Sequence, residues 1–153
     1  MTTDAEALVR RAYHLAEGNV MDVRGFIDLF ATDGMVNAGG KSYRGEHLGD
    51  LVVSLGKLAA DVHRELHRVH AIGNLVAVEL SIRGTFSGPF ETSVGVIKLT
   101  GAKLDIAGAD VWYVEGGKIK EFSCNVDRSS MLAQLGVHPD FAFAPESRRN
   151  TYA

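Results

Sequence analysis

Cysteine is nearly absent from this chain. Among 153 residues there is one, Cys124. A lone thiol cannot close an intramolecular disulfide, so a disulfide-stapled scaffold is excluded and reduced cytoplasm is the natural setting. Long apolar runs are missing, so no segment is expected to span a membrane. The opening stretch, MTTDAEALVRR, has no apolar core of the secretory kind, and cytoplasmic localisation is expected. Charge of one sign is not in great excess: the net charge is −3 and the pI near 6.0, which gives no electrostatic reason to expect nucleic acid or an anionic membrane as partner. Internal repeats, low-complexity tracts and linkers are absent. What is present is enough apolar material, 46% of the residues against 23% charged, to build a full core. One domain over residues 1–153 is expected, with a core from about 5 to 137 and a loosely organised tail over 138–153.

Helices come first. Thr3 and Glu6 form a capping box, followed by Ala5, Leu8, Val9, Ala12, Leu15 and Ala16 at helical spacing, ending near Gly18. Asp22 caps a second helix with Phe26, Ile27 and Phe30 inward. A short strand over Met35–Asn37 and a Gly39-Gly40 loop precede a third helix from about Gly45, with Leu48, Leu51, Val52, Leu55, Leu58 and Ala59 on its apolar side. Strands follow: His63–Ala71, then a period-two run of Val76, Val78, Leu80 and Ile82 with Gly84 as a bulge, then Thr92–Thr100. Helices followed by antiparallel strands argue an α+β fold over a parallel α/β sheet.

The stretch from Leu104 to Gly136 carries the most information. It reads as two long strands joined at Gly116-Gly117, then a short capped helix. A two-residue loop there opposes Glu115 to Lys118, Val114 to Ile119 and Trp112 to Glu121. Alternation then puts Leu104, Ile106, Asp110, Trp112, Val114, Ile119, Glu121, Ser123, Asn125 and Asp127 on one face. The other face carries Ala107, Ala109, Val111, Tyr113, Phe122, Cys124 and Val126. The first face mixes bulky apolar groups with carboxylates, which suits the lining of a small-molecule pocket. The second is too apolar to stand in water, so a homodimer is expected.

Four strings carry a resemblance: DLFATDGMV (Asp28–Val36), YRGEHL (Tyr43–Leu48), VEGGKIKEF (Val114–Phe122) and DRSSMLAQLG (Asp127–Gly136). With the element order they resemble the nuclear transport factor two-like superfamily, over about Ala5–Val137, and within it the SnoaL-like and ketosteroid isomerase-like branch. The resemblance implies a cystatin-like α+β fold, a curved antiparallel sheet forming a cone and closed by N-terminal helices over an apolar pocket. It also implies a homodimer. It places the isomerases' general base at Ala38, their phenolic donor near His14 beside Tyr13, and their principal acid near Ile106 with another near Asp110. Ala38 can neither take nor give a proton, so steroid isomerisation is disfavoured.

Each candidate residue has a plain alternative. Asp110, beside Ile106 and Trp112, would have its pKa raised by burial and serve as acid or base, or else accept hydrogen bonds from a neighbouring loop. The resemblance places the closing-strand Asp of SnoaL-like cyclases at Asp127 or at the Cys124 position, and Asp127 can simply cap the last helix. Glu121 is a second carboxylate for the pocket or a solvated rim residue. His14 is a candidate proton carrier, as is one of His63, His67 and His70. HRELH is not the zinc string HExxH, and in a strand the three histidines diverge, so no metal site and no cofactor are expected. Tyr13, Phe26, Trp112, Ser123 and Asn125 are the expected ligand-binding residues. Cys124 falls on the face away from Asp110. The expectation is a pocket for a small hydrophobic molecule, possessed either by a cofactor-free acid/base enzyme of cyclase or isomerase type or by a non-catalytic ligand-binding or assembly module. An epoxide hydrolase, which needs an Asp-Arg-Asp group around a water, is less favoured because no clear Arg stands among the Leu104–Asp127 pocket positions.

Overall fold

A computed structural model describes residues 3–92, 95–98 and 100–138. The expected tail falls almost wholly outside them. Helix α1 (Asp4–Leu15) starts where Thr3 Oγ1 accepts from the Glu6 N–H at 3.1 Å and buries Ala5, Val9, Ala12, Tyr13 and Leu15. Helix α2 (Val23–Asp28) is capped by Asp22, whose Oδ1 accepts from the Gly25 N–H at 2.9 Å. It stops two residues short of Phe30, which opens strand β1 (Phe30–Ala38) instead of closing a helix. Strand β2 (Lys41–Tyr43) folds back on β1. A 3-10 turn over Gly45–Gly49 then leads into α3 (Asp50–Leu58).

The remaining strands are β3 (His63–Ile72), β4 (Leu75–Thr85), β5 (Phe90–Thr92), β6 (Gly95–Ile97), β7 (Lys103–Glu115) and β8 (Lys118–Ser123), followed by helix α4 (Arg128–Gln134). Among the described residues the main sheet runs β2-β1-β8-β7-β4-β3. It is a curved, unclosed sheet in an α+β fold, the cone that the sequence leads one to expect. Every neighbouring pair is antiparallel except β1 and β8, which run parallel, a pairing that a purely antiparallel reading omits. The single strand expected over Thr92–Thr100 is two short ones, with Phe90 opposite Ile97 and Thr92 opposite Gly95; Ser93, Val94 and Leu99 lie outside the described residues.

Alternation on β4 points Val76, Val78, Leu80 and Ile82 inward, each 7% exposed or less. They oppose Trp112, Asp110, Gly108 and Ile106 of β7. This shared inner face and the buried sides of α1, α2 and α3 make the core. Gly84 marks no bulge, since its pairing with Leu104 continues the ladder unbroken. It is needed for closeness: a Cβ there would stand 3.0 Å from the Ala59 Cβ and 3.2 Å from Asp61 Oδ1.

The β7–β8 hairpin turns at Gly116 and Gly117, both at positive φ, as two-residue loops require. Glu115 opposes Lys118 and Val114 opposes Ile119, but the next pair is Tyr113 with Glu121. The register shift leaves Lys120 as an extra residue, and its ammonium is drawn to the Asp33 carboxylate. Beyond this bulge β8 is flipped relative to the expected alternation. Trp112 therefore opposes Phe122, and Val111 opposes Ser123. The expected face is right for β7 and wrong for β8 past Ile119.

Candidate active site in the sheet cavity

Between the inner sheet face and the helices lies a cavity of about 590 Å³, large enough for a small organic molecule. α1 contributes Ala12 and Tyr13, its C-cap Ala16 follows, α2 contributes Phe26, and α3 contributes Leu51, Leu55 and Leu58. The floor is Leu80 and Ile82 of β4 with Ile106, Asp110 and Trp112 of β7. Phe122 completes it, stacked on the Trp112 ring at 3.7 Å with 4° between planes. Tyr13 meets Trp112 edge-on at 5.2 Å. Such a lining suits apolar ligand surface.

One carboxylate stands in this wall. Asp110 is 3% exposed, the one buried charged or polar residue among those described. Its Oδ2 accepts from the Tyr13 hydroxyl at 2.7 Å, and its Oδ1 from the Asn125 backbone N–H at 3.2 Å. The Trp112 Nε1–H donates to the Tyr13 oxygen at 2.9 Å, which orients the phenol toward Asp110. The Cys124 thiol near the same carboxylate and the charge of Arg64 both favour its ionised form. Burial dominates these favourable contacts and pushes the Asp110 carboxyl up from 3.8 to about 6. Burial, then the Asp110 charge, drives the Tyr13 phenol far above its ordinary range. The same two causes push the Cys124 thiol up to about 12, so it stays a neutral thiol.

Arg64 is the residue that reading the sequence missed. It lies on β3 and lines the cavity. Its Nη1 donates to the Ala16 carbonyl at 2.7 Å, while its backbone N–H donates to Glu17 at 3.0 Å. Desolvation lowers its pKa against the pull of Glu17. In HRELHR it looks like one more solvated charge. The available signal was alternation, which turns His63 and Glu65 outward and so sends Arg64 inward beside Leu66.

Several expected site residues sit elsewhere. The flipped end of β8 takes Glu121 and Ser123 off the cavity wall: Glu121 Oε1 accepts from Asn37 Nδ2 at 2.8 Å, away from Asp110. The same flip brings Cys124 to Asp110, against the sequence expectation. Asp127 is exposed and caps α4, its Oδ1 accepting from the Ser130 N–H at 3.0 Å. His14 is exposed beside Tyr13, because one residue along a helix turns about 100° away. His63, His67 and His70 are all exposed and none lines the cavity. His63 bridges Glu17 and Glu65, and His67 bonds Ser81. Among the described residues no three His, Cys, Asp or Glu side chains gather as a metal site would need. The wall does hold Tyr13, Phe26 and Trp112, with Asn125 exposed at the mouth. Ala38 and Ile106, the positions aligned with the isomerases' base and acid, also line the cavity and carry no transferable proton.

Solved structures share this fold. AclR of Streptomyces galilaeus, a proposed hydroxylase, superposes with a TM-score of 0.76 at 19% identity, over 91% of this chain and 100% of that one. A proposed SnoaL-like polyketide cyclase from Jannaschia sp. gives 0.78 at 15% identity, over 90% and 95%. An LEH-like epoxide hydrolase of M. tuberculosis gives 0.63 at 18%, over 88% and 90%. At these identities the likeness is one of fold. No curated protein sequence matches the chain. Among the described residues no helix is long and apolar enough to cross a membrane. The sequence profile of the SnoaL-like domain matches residues 9–122, most of the chain, and this protein belongs to the SnoaL-like domain family.

Proposed function

We propose that this protein is a cofactor-free acid/base enzyme acting on a small hydrophobic carbonyl compound, by aldol ring closure or isomerisation. The observation that carries the reading is the buried Asp110 in the wall of an otherwise apolar cavity, with a carboxyl pushed to about 6. A base with that value is mostly ionised near neutral pH yet strong enough to compete for a carbon-bound proton.

In the proposed step the Asp110 carboxylate takes a proton from the carbon beside a carbonyl. The C–H electron pair moves onto the carbonyl oxygen as an enolate. Arg64, which lines the same cavity and is desolvated there, offers charge to that oxygen. In ring closure the enolate carbon attacks a second carbonyl of the same molecule, and the new alkoxide recovers the proton from Asp110. Tyr13, held by Trp112, positions the carboxylate.

A second reading is a ligand-binding module of the same fold. It is favoured by one observation: both oxygens of Asp110 already accept hydrogen bonds within the protein. Opening of an epoxide by two acids and an arginine is less supported, because Asp110 is the sole carboxylate among the described cavity residues. The test is a pair of variants assayed on hydrophobic ketones and polyketide-like aldol substrates. Asp110→Asn is expected to lose on the order of a hundred- to ten-thousand-fold in rate, the usual value of a general acid or base. Asp127→Asn should retain turnover. Full activity in Asp110→Asn would refute the assignment, and no turnover by the unmutated protein would move the reading to the binding module.

A further inference from the structure

Charge is unevenly placed around the cavity. The chain as a whole is acidic, with a net charge of −3. Yet the described cavity residues include Lys41, Arg64 and Arg128 against the single carboxylate Asp110. Two of these cations are exposed at the mouth. Lys41 opens β2 opposite Ala38, and Arg128 opens α4. Between them is Gly39-Gly40, a turn without side chains. The Arg128 guanidinium lies against it, since a Cβ on Gly39 would be 2.9 Å from Nη1. Among the described residues neither Lys41 nor Arg128 has an ion pair or a side-chain hydrogen bond, so both cations are open to an anionic ligand.

We propose that the ligand of this cavity is an amphipathic anion, with a carboxylate held at the mouth by Lys41 and Arg128 and an apolar, carbonyl-bearing body inside against Trp112. This rests on the reading of the cavity as a small-molecule site and adds the substrate class to it. Two physical facts orient the ligand. A guanidinium matches a carboxylate's two oxygens, and a neighbouring ammonium adds charge. At the inner end the Asp110 carboxylate repels a second anion, so the charged group stays outside and the neutral carbonyl goes in.

Trp112 is the sole tryptophan and lines the cavity, so its fluorescence reports occupancy. The probes are decanoate and decanamide, which differ in charge at one end. Titrated at low salt, decanoate should bind about tenfold more tightly, and the preference should fade as salt is raised. In the double variant Lys41→Ala/Arg128→Ala the preference should vanish while decanamide binds as before. Equal affinity in the unmutated protein would overturn the inference. So would a preference that survives the double variant, or one lost only in Arg64→Met, which would place the anion deep in the cavity. No Trp112 response to either probe would overturn it together with the small-molecule reading. Failure of the acid/base reading alone would show as absent turnover with the preference intact.

Discussion

Replacing Asp110 with Asn should make the protein lose less stability as pH rises than the unmutated chain does. The sign follows from linkage. Burial lifts the Asp110 carboxyl from 3.8 to about 6, so between these values the folded protein holds this proton more tightly than the unfolded chain does. The contribution to stability is therefore full below the unfolded value and is lost as pH rises through the folded one. The lift corresponds to about 3 kcal/mol in all, of which about 2 kcal/mol falls between roughly pH 4 and pH 7. Asp110 is 3% exposed, so solvent screening does little to reduce this figure. The assay is urea unfolding of both proteins at the two pH values, followed by Trp112 fluorescence. His63, Asp33, Asp61 and Glu65 also titrate differently on folding, but they are common to both proteins and cancel in the difference. The stability of the variant relative to the parent should rise by about 2 kcal/mol from pH 4 to pH 7. A difference that stays flat, or moves the other way, would show that Asp110 is not a strained buried acid.

Three further outcomes are expected. Tyr13→Phe removes a donor that favours the ionised form of Asp110, so the pKa read from any acid/base activity should move upward, with a loss of about 1 to 3 kcal/mol in stability for the bond removed. An unchanged acidic limb would remove Tyr13 from the site. Asp127→Asn should change stability by less than about 0.5 kcal/mol, whereas Asp127→Ala should cost about 1 kcal/mol, measured by thermal unfolding, because only the cap is lost. The protein should form a dimer through the outer sheet face, where Ile72, Leu75 and Tyr113 lie side by side across β3, β4 and β7 with Ile72 74% and Tyr113 43% exposed. Tyr113→Asp should give a monomeric mass in light scattering, and a parent that is itself monomeric at micromolar concentration would contradict this.

Much of the frame was legible because it depends on local rules. Thr3, Asp22 and Asp127 have the short polar side chains that cap helices, and each does so. The strict alternation of β4 and of β7 up to Trp112 set which side chains face in, and Asp110 is among them. The errors arose where a distant partner broke the local pattern. The bulge at Lys120 answers to Asp33, a residue 87 positions away, and no glycine or proline announces it. That one extra residue exchanged Glu121 and Ser123 for Phe122 and Cys124 in the cavity. Arg64 was hidden in a string of charges, since its contacts with Ala16 and Glu17 exist only once α1 folds over the sheet. The outer apolar face was overdrawn for the same reason: Phe122 is buried inward on Trp112, leaving Val111 and Tyr113 to stand for it.

The measurement that bears most directly on proton transfer by Asp110 is solvent-deuterium incorporation into hydrophobic carbonyl compounds in heavy water, followed by mass spectrometry. It needs no knowledge of the final product. The unmutated protein should exchange the proton beside the carbonyl faster than buffer, with a rate that rises through a pKa of about 6 as Asp110 ionises. Asp110→Asn should fall to the buffer rate while still binding the compound, as read from Trp112. Exchange by Asp110→Asn at the parent's rate, or exchange no faster than buffer with the parent protein saturated, would contradict the account.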